Sequence, residues 1–282
     1  MSEPSYNDVV ARLRAAGCVF AEDEALLLLG EDRSAAELAG MIERRISGVP
    51  LEYVLGWVEF CGRRYAVDAG VFVPRRRTEY LVELAVGKQV GTAVEPPTKS
   101  QPTVVVDLCC GSGAIGAAVA AQLEAKANRP TELYATDIDP TAVLCAAKNL
   151  ADVGGTVLCG DLYHAFPANL RGRVDLLVVN APYVPSDSIR LMPPEARLYE
   201  PWVTLDGGAD GLAVQRRIAA DAGDWLAPGG RLFIETSEQQ APQTRQLLEQ
   251  AGLMTTVEHS EDLDATVVAG RKPAGSPKET GR

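Results

Sequence analysis

Two stretches of this chain are apolar on nearly every consecutive residue, Val104-Val105-Val106-Asp107-Leu108 and Val174-Asp175-Leu176-Leu177-Val178-Val179. A strand with one wet face alternates polar and apolar side chains, so an almost unbroken run needs cover on both faces, as in a parallel sheet enclosed by helices. Shorter strand patterns at 133–136, 156–159 and 231–234, the last after the turn Pro228-Gly229-Gly230, are separated by helical stretches, and 255–257 with 266–269 reads as a closing pair. These seven strands imply an α/β fold with a doubly wound, mostly parallel seven-stranded sheet.

The chain ahead of the sheet has a different period. Val9, Val10, Leu13 and Ala16 recur at helical spacing before Gly17, and Ser34-Ala35-Ala36-Glu37 has capping-box spacing ahead of Leu38, Met41, Ile42 and Ile46. Gly48 and Pro50 stop that helix. From Gly56 the period becomes that of a strand: Val58, Phe60, Tyr65 and Val67 alternate with polar residues around Cys61-Gly62, which predicts a hairpin. A helix is expected over 78–86 and a loop over 87–102, rich in Gly, Pro, Thr and Lys. The expected organisation is a small helical domain over 1–55, a linking β-hairpin over 56–73, the α/β domain over 74–270, and a polar, disordered tail over 271–282.

In open α/β sheets ligands bind beyond the carboxyl ends of the strands, and the residues that follow these strands are the informative ones. After the first apolar run, Gly111, Gly113 and Gly116 fit G-x-G-x-x-G and open an alanine-rich helix, whose free N–H groups and close backbone suit a ligand. Asp137 ends the next strand, where an acidic residue grips a ribose. Alone, this layout serves a dinucleotide or S-adenosylmethionine equally. The second run ends in Asn180-Ala181-Pro182-Tyr183. Asn180 can accept and donate to a planar polar group, Pro182 holds residue 181 extended so that its carbonyl turns outward, and Tyr183 adds a flat face. Such a slot takes a flat NH2-bearing group, which a methyl transfer to nitrogen needs and a hydride transfer does not. A hydride-transfer enzyme also needs an acid or base near the nicotinamide, yet the two histidines, His164 and His259, have no evident partners in sequence. The site reads as that of a methyltransferase.

The net charge of −11 and pI near 4.8 argue against a partner gripped through its phosphates, and no direct nucleic-acid contact is expected. Arg44, Arg45, Arg63, Arg64, Arg75, Arg76 and Arg77 form a local exception, read more simply as a solvated face. No run spans a membrane, no signal pattern opens the chain, and the six cysteines lack metal-type spacing, which together point to a cytoplasmic protein with reduced thiols and no metal.

With these residues in hand, the chain from about 42 to 270 resembles the HemK-type protein N5-glutamine methyltransferases, which modify the glutamine of the Gly-Gly-Gln motif in class I peptide chain release factors. The resemblance rests on Glu43-Arg44-Arg45, Gly48 to Gly56, Val73-Pro74-Arg75 with Thr78-Glu79, Asp107 to Gly113, Asp137, Asp161, the Asn180 tetrapeptide, Pro194-Glu195, Glu200-Pro201 and Leu205 to Leu212, in that order. It implies a class I, Rossmann-like methyltransferase fold with S-adenosylmethionine as cofactor. Cys109, Cys110, Gly111, Ser112 and Gly113 would wrap the cofactor's methionine end, Asp137 its ribose, Asp161 and Leu162 its adenine. Asn180, also beside the cofactor, and the Ala181 carbonyl would hold the acceptor amide, with Pro182 and Tyr183 shaping the slot and a release factor as the protein partner. The helical part would meet that protein. Glu195 or Glu200 is a possible carboxylate assistant. Three departures stand out: Ala181 replaces a second proline, Cys109 replaces a glycine, which is tolerable where no positive φ is needed, and the N-terminal helical part is shorter than is usual in the family. Methylation of a small molecule or nucleobase, and a non-catalytic binding module, are the competing readings.

Overall fold

The computed structural model describes residues 4–87, 101–127 and 130–274. Four helices, α1 (Tyr6–Ala15), α2 (Ala21–Leu29), α3 (Ala35–Ile46) and α4 (Leu51–Leu55), close over Val9, Leu13, Leu28, Leu38, Ile42 and Leu55. The expected capping box forms: Ser34 Oγ accepts the Glu37 N–H and Glu37 Oε2 accepts the Ser34 N–H. The hairpin follows as β1 (Trp57–Phe60) and β2 (Arg63–Ala66), with Phe60 opposite Arg63. Its two turn residues, Cys61 and Gly62, both take positive φ, the signature of a tight hairpin turn that follows strand twist. Glu79 accepts the Cys61 N–H at 2.8 Å and so fixes the hairpin to α5 (Glu79–Ala85).

The remaining elements are β3 (Thr103–Leu108), α6 (Ala114–Ala127), β4 (Thr131–Asp137), α7 (Pro140–Leu150), β5 (Thr156–Cys159), β6 (Val174–Val179), α8 (Pro194–Tyr199), α9 (Ala213–Trp225), β7 (Leu226–Thr236), α10 (Ala241–Gln250), β8 (Met254–Ser260) and β9 (Ala265–Arg271). They build one seven-stranded sheet in the order β5-β4-β3-β6-β7-β9-β8, parallel except where β9 joins β7 and β8. The unbroken apolar runs are explained by two separate cores. Val105, Leu176 and Val178 face one way, toward α5 and α6, while Val104, Val106, Leu108, Leu177 and Val179 face the other, toward α9 and α10. Both central strands are covered twice, as a doubly wound sheet requires.

Two expectations shift. Pro228-Gly229-Gly230 is not a turn ahead of the fifth strand but an irregular part of β7, where the register passes from Val174 opposite Leu226 to Leu176 opposite Arg231. Gly229, at φ +81°, donates to the Lys272 carbonyl, and Lys272 N donates back to Gly230, so the bulge is held by the strand beside it. That pairing also carries order past 271: the Lys272 ammonium donates to the Gly223 and Leu226 carbonyls. The rest of the expected tail, 275–282, and most of the expected loop, 88–100, lie outside the described residues. No helix among the described residues is long and apolar enough to cross a membrane.

Asp107 sits in this core, fully buried beneath α6. Its Oδ2 accepts the Gly116 N–H at 2.9 Å, and a Cβ on Gly116 would lie 3.0 Å from Asp107 Cβ, so only glycine lets the helix start this close to the strand. Burial pushes the Asp107 pKa up to about 7, against the Gly116 hydrogen bond. In the unfolded chain the group ionises near 4. Between about pH 4 and 7 the unfolded state therefore binds fewer protons, and this residue makes stability fall as pH rises. Asp107→Asn removes the titration. Denaturant unfolding of variant and parent across that window should give curves whose gap widens in the variant's favour toward pH 7; parallel curves would contradict the assignment.

Candidate active site

Register places the strand-end residues together. Leu108 pairs with Thr136 on one side and with Val179 on the other, and Asp137 pairs with Cys159. The segments leaving β5, β4, β3 and β6 therefore stand in a row at one edge of the sheet, carrying Asp161-Leu162, Asp137, Cys109–Gly113 and Asn180–Tyr183.

The glycine loop is held by its neighbours. Cys110 N donates to the Thr136 carbonyl at 3.0 Å, and Gly111 N donates to Asp137 Oδ2 at 2.9 Å, while Asp137 Oδ1 accepts the Asp139 N–H at 3.0 Å. Burial raises the Asp137 pKa, and these backbone bonds oppose the rise. Each carboxylate oxygen keeps a further acceptor direction for a hydroxyl pair. Gly111 and Gly113 take positive φ, but for different reasons. A Cβ on Gly113 would lie 2.5 Å from Leu150 Cδ1, so that glycine serves packing; a Cβ on Gly111 would meet nothing nearer than Phe72 at 3.9 Å, so that glycine faces open space. Cys109 departs from expectation. It takes φ +57°, the left-handed region in which a non-glycine residue costs about 1–2 kcal/mol, and it does so because the loop must bend there to bring Gly111 onto Asp137. Burial raises the Cys109 thiol well above its ordinary value, so it is a neutral wall.

Beyond β5, Asp161 turns its carboxylate to Arg217 of α9 at 2.5 Å, while Leu162, at φ +49°, buries its side chain in the sheet core. The Ser112 hydroxyl is buried with no partner among the described residues. A carboxylate able to take a diol, a close backbone loop, an orphaned hydroxyl and the Asp161-Leu162 wall fit a nucleoside with a short charged tail, as the expected cofactor has.

On the other side, Asn180 Nδ2 faces Thr78 Oγ1 at 3.4 Å, and among the described residues its Oδ1 takes no hydrogen bond. Ala181 is buried, and its carbonyl likewise accepts none. Tyr183 lies between two charges: Arg77 Nη2 donates to its hydroxyl at 2.7 Å, and that hydroxyl donates to Glu235 Oε1 at 3.4 Å. Burial, with Glu235 adding and Arg77 opposing, pushes the Tyr183 pKa up to about 12, so the ring stays a neutral wall. The segment beyond is stitched to residues 205–208 by Val184 N to Leu205 O, Gly207 N to Val184 O and Ser186 N to Gly208 O.

Several residues of the site carried no signal in sequence. Asn149 of α7 clamps the hairpin to the glycine loop, accepting the Ala66 N–H and donating to the Ala66 and Ser112 carbonyls, each at 2.8 Å. Gln240 donates to the Tyr183 carbonyl at 2.9 Å and the Asp210 carbonyl at 3.0 Å. The carboxylate at the slot is Glu235, not Glu195 or Glu200. Glu195 pairs with Arg45 at 2.7 Å, and Glu200, buried, pairs with Arg75. The arginine cluster is largely consumed in such pairs: Arg45 also holds Glu24 at 2.6 Å, Arg77 holds Glu235 at 3.3 Å, and Arg64 lies over the Trp57 ring. His164 stays on the surface beside the Asp161 carbonyl.

The chain is similar to known methyltransferases. A family model described as "Methyltransferase small domain" matches residues 94–192. A release factor glutamine methyltransferase from Geobacter sulfurreducens is 33% identical over 240 residues, covering 84% of this chain and 78% of that protein. Its counterpart from Bordetella pertussis is 39% identical over 212 residues, covering 74% and 73%. One from Bradyrhizobium diazoefficiens is 32% identical over 279 residues, covering 93% and 91%.

The slot depends on one position with no room to spare. Gly211, at φ +76°, lies against the Tyr183 carbonyl and Gln240 Nε2, both well inside contact distance of any Cβ. Gly211→Ala should displace the 180–183 segment and lower stability by about 1–3 kcal/mol, as overpacked and strained sites do. Thermal unfolding checks it; an unchanged melting temperature would show that the segment can move freely.

Proposed function

The chain belongs to the release factor glutamine methyltransferase family, and from this we propose that the Asn180 slot holds the side-chain amide of the glutamine in a Gly-Gly-Gln motif of a class I release factor while its nitrogen is methylated. The protein is an S-adenosylmethionine-dependent methyltransferase of protein glutamine. The observation that carries the proposed residue roles is the orientation of the Asn180 amide, whose nitrogen is engaged by Thr78 and whose oxygen is left for a donor.

Asp137 would grip the cofactor's ribose, Cys109–Gly113 its methionine end, and Asp161 with Leu162 its adenine. Bound there, S-adenosylmethionine supplies an activated methyl group on a sulfonium. The protein's task is then positioning. A glutamine amide is a poor nucleophile because its lone pair is delocalised into the carbonyl. Asn180 Oδ1 and the Ala181 carbonyl accept its two N–H bonds, which hold the nitrogen in line and favour the positive charge that builds on it. Tyr183 closes the slot as a neutral face. A nitrogen carrying that charge is strongly acidic, so its proton can pass to water without a dedicated strong base. Glu235 stands behind Tyr183, whose hydroxyl donates to it, and its charge is paired with Arg77.

The helical domain is proposed as a second grip on the protein acceptor. It is tied to the region after the slot by Arg45, which is buried and bridges Glu24 to Glu195 on α8.

Incubation with labelled S-adenosylmethionine and an intact class I release factor, followed by mass spectrometry of the tryptic peptides, tests both proposals. One methyl group on the Gly-Gly-Gln glutamine is expected, with a short Gly-Gly-Gln peptide a far poorer acceptor. Methyl on another residue, or none, would contradict the acceptor; equal use of the short peptide would contradict the second grip. Asp137→Ala should weaken S-adenosylhomocysteine by about 1.5–3 kcal/mol, the scale of a hydrogen bond to a charged group.

A further inference from the structure

The exit of β7 lies beside the slot. Val179 pairs with Ile234, so Asn180 and Glu235 leave the sheet at neighbouring points, and Gln240 follows at the head of α10. Glu235 and Gln240 hold Tyr183 at opposite ends. At the hydroxyl, Tyr183 accepts from Arg77 Nη2 at 2.7 Å and donates to Glu235 Oε1 at 3.4 Å, and Arg77 Nε donates to the same oxygen at 3.3 Å. Glu235 is 2% exposed, so the anchor at this end is fixed in the core. At the carbonyl, Gln240 Nε2 donates to the Tyr183 oxygen at 2.9 Å and to the Asp210 oxygen at 3.0 Å. Ser237 Oγ donates to Gln240 Oε1 at 2.8 Å. Both amide protons and the amide oxygen of Gln240 are thus engaged, and a flipped amide would set its oxygen against two carbonyls. The missing side chain of Gly211 makes room for this contact, since a Cβ there would meet both Gln240 Nε2 and the Tyr183 carbonyl.

We propose that Gln240 and the Arg77–Glu235 pair are positioning residues for methyl transfer: Gln240 fixes the Tyr183 backbone, Arg77 and Glu235 fix its hydroxyl, and together they set where the ring walls the slot. The inference rests on the reading of the Asn180–Tyr183 slot given above and adds three residues to it. Two acceptors on the N–H bonds of a flat amide fix its plane at one edge but leave it free to tilt about that edge. A ring face held on one side removes this freedom, which is what alignment of the nitrogen with the methyl group requires. All three residues act through Tyr183, and a protein acceptor has its second grip in the helical domain, so loss of either hold lowers turnover more than binding.

Two full-length variants each release one end. Gln240→Met keeps the length of the side chain and removes both N–H donors; Tyr183→Phe keeps the ring and removes the hydroxyl. Each is assayed below its own melting transition. With a release factor as acceptor, kcat should fall about 10- to 100-fold in both, up to the scale of a misaligned reacting pair, while the KM for the factor and the affinity for S-adenosylhomocysteine stay within about threefold. A parent-like kcat in either variant would overturn the proposal. So would a loss carried by KM, or one matched by lost S-adenosylhomocysteine binding. If Gln240→Met does not fold, Tyr183→Phe decides. The ring resonances of Tyr183 in tyrosine-labelled protein, assigned by their absence in Tyr183→Phe, read the same hold with no acceptor present. They should move in Gln240→Met, which is altered at the carbonyl end and not at the ring, and in Arg77→Met; an unmoved signal in either would equally overturn it. If the parent leaves release factors unmodified, the acceptor reading fails alone, and the ring signal still decides whether Tyr183 is held from both ends.

Discussion

The pairing of β3 with β6 carries the reactive end of the molecule. Leu108 lies opposite Val179, so the chain leaves the sheet at two adjacent points, once as Cys109 and once as Asn180. In the proposed function one exit wraps the methyl donor and the other holds the acceptor. Their spacing is set by backbone hydrogen bonds inside a core covered on both faces, which is stiff in a way that surface loops are not. A methyl transfer without metal or covalent intermediate asks for little beyond that alignment.

The exits need second supports, and each has one that reaches across the chain. On the donor side Asp137 catches Gly111, Asn149 catches Ser112, and Gly116 lets the helix close onto Asp107. On the acceptor side the glycines between Leu205 and Leu212 let that segment run against residues 183–186, and Gln240 locks the Tyr183 carbonyl. Two buried or half-buried arginines then tie the region beyond the slot to the front of the chain, Arg45 to Glu195 and Arg75 to Glu200. Arg45 and Glu200 are the buried members, and removing the partner of either leaves a buried charge short of compensation, a larger loss than the pair's net worth. These ties thus serve geometry more than stability.

Much of this was legible in sequence because it is written in local patterns. Consecutive apolar residues gave the twice-covered sheet, the change of period at Gly56 gave the hairpin, and strand-end residues gave Asp137 and the Asn180 tetrapeptide. The unread parts are those whose partners are far away in the chain. The arginines looked like a solvated face because Glu195, Glu200 and Glu235 lie 150, 125 and 158 positions from Arg45, Arg75 and Arg77. Glu235 itself is one acidic residue at a strand end, with nothing nearby in sequence to distinguish it from Glu258. Cys109 misled for another reason: side-chain identity disfavours positive φ, and the loop's attachment to Asp137 overrides that preference. Asp161 sits at the expected place, but its carboxylate is shared with Arg217, which no spacing rule anticipates.

The proposed chemistry turns on the orientation of one amide, and Asn180→Ala measured under single-turnover conditions tests it most directly. With cofactor and release factor both saturating, methyl transfer should slow by about 10²–10³, the loss seen when one preorganised polar group is removed from a charge-developing centre. The melting temperature and S-adenosylhomocysteine affinity should remain near those of the parent. A variant that transfers methyl at the parent rate, or one whose lost activity is matched by lost folding, would contradict the role given to Asn180.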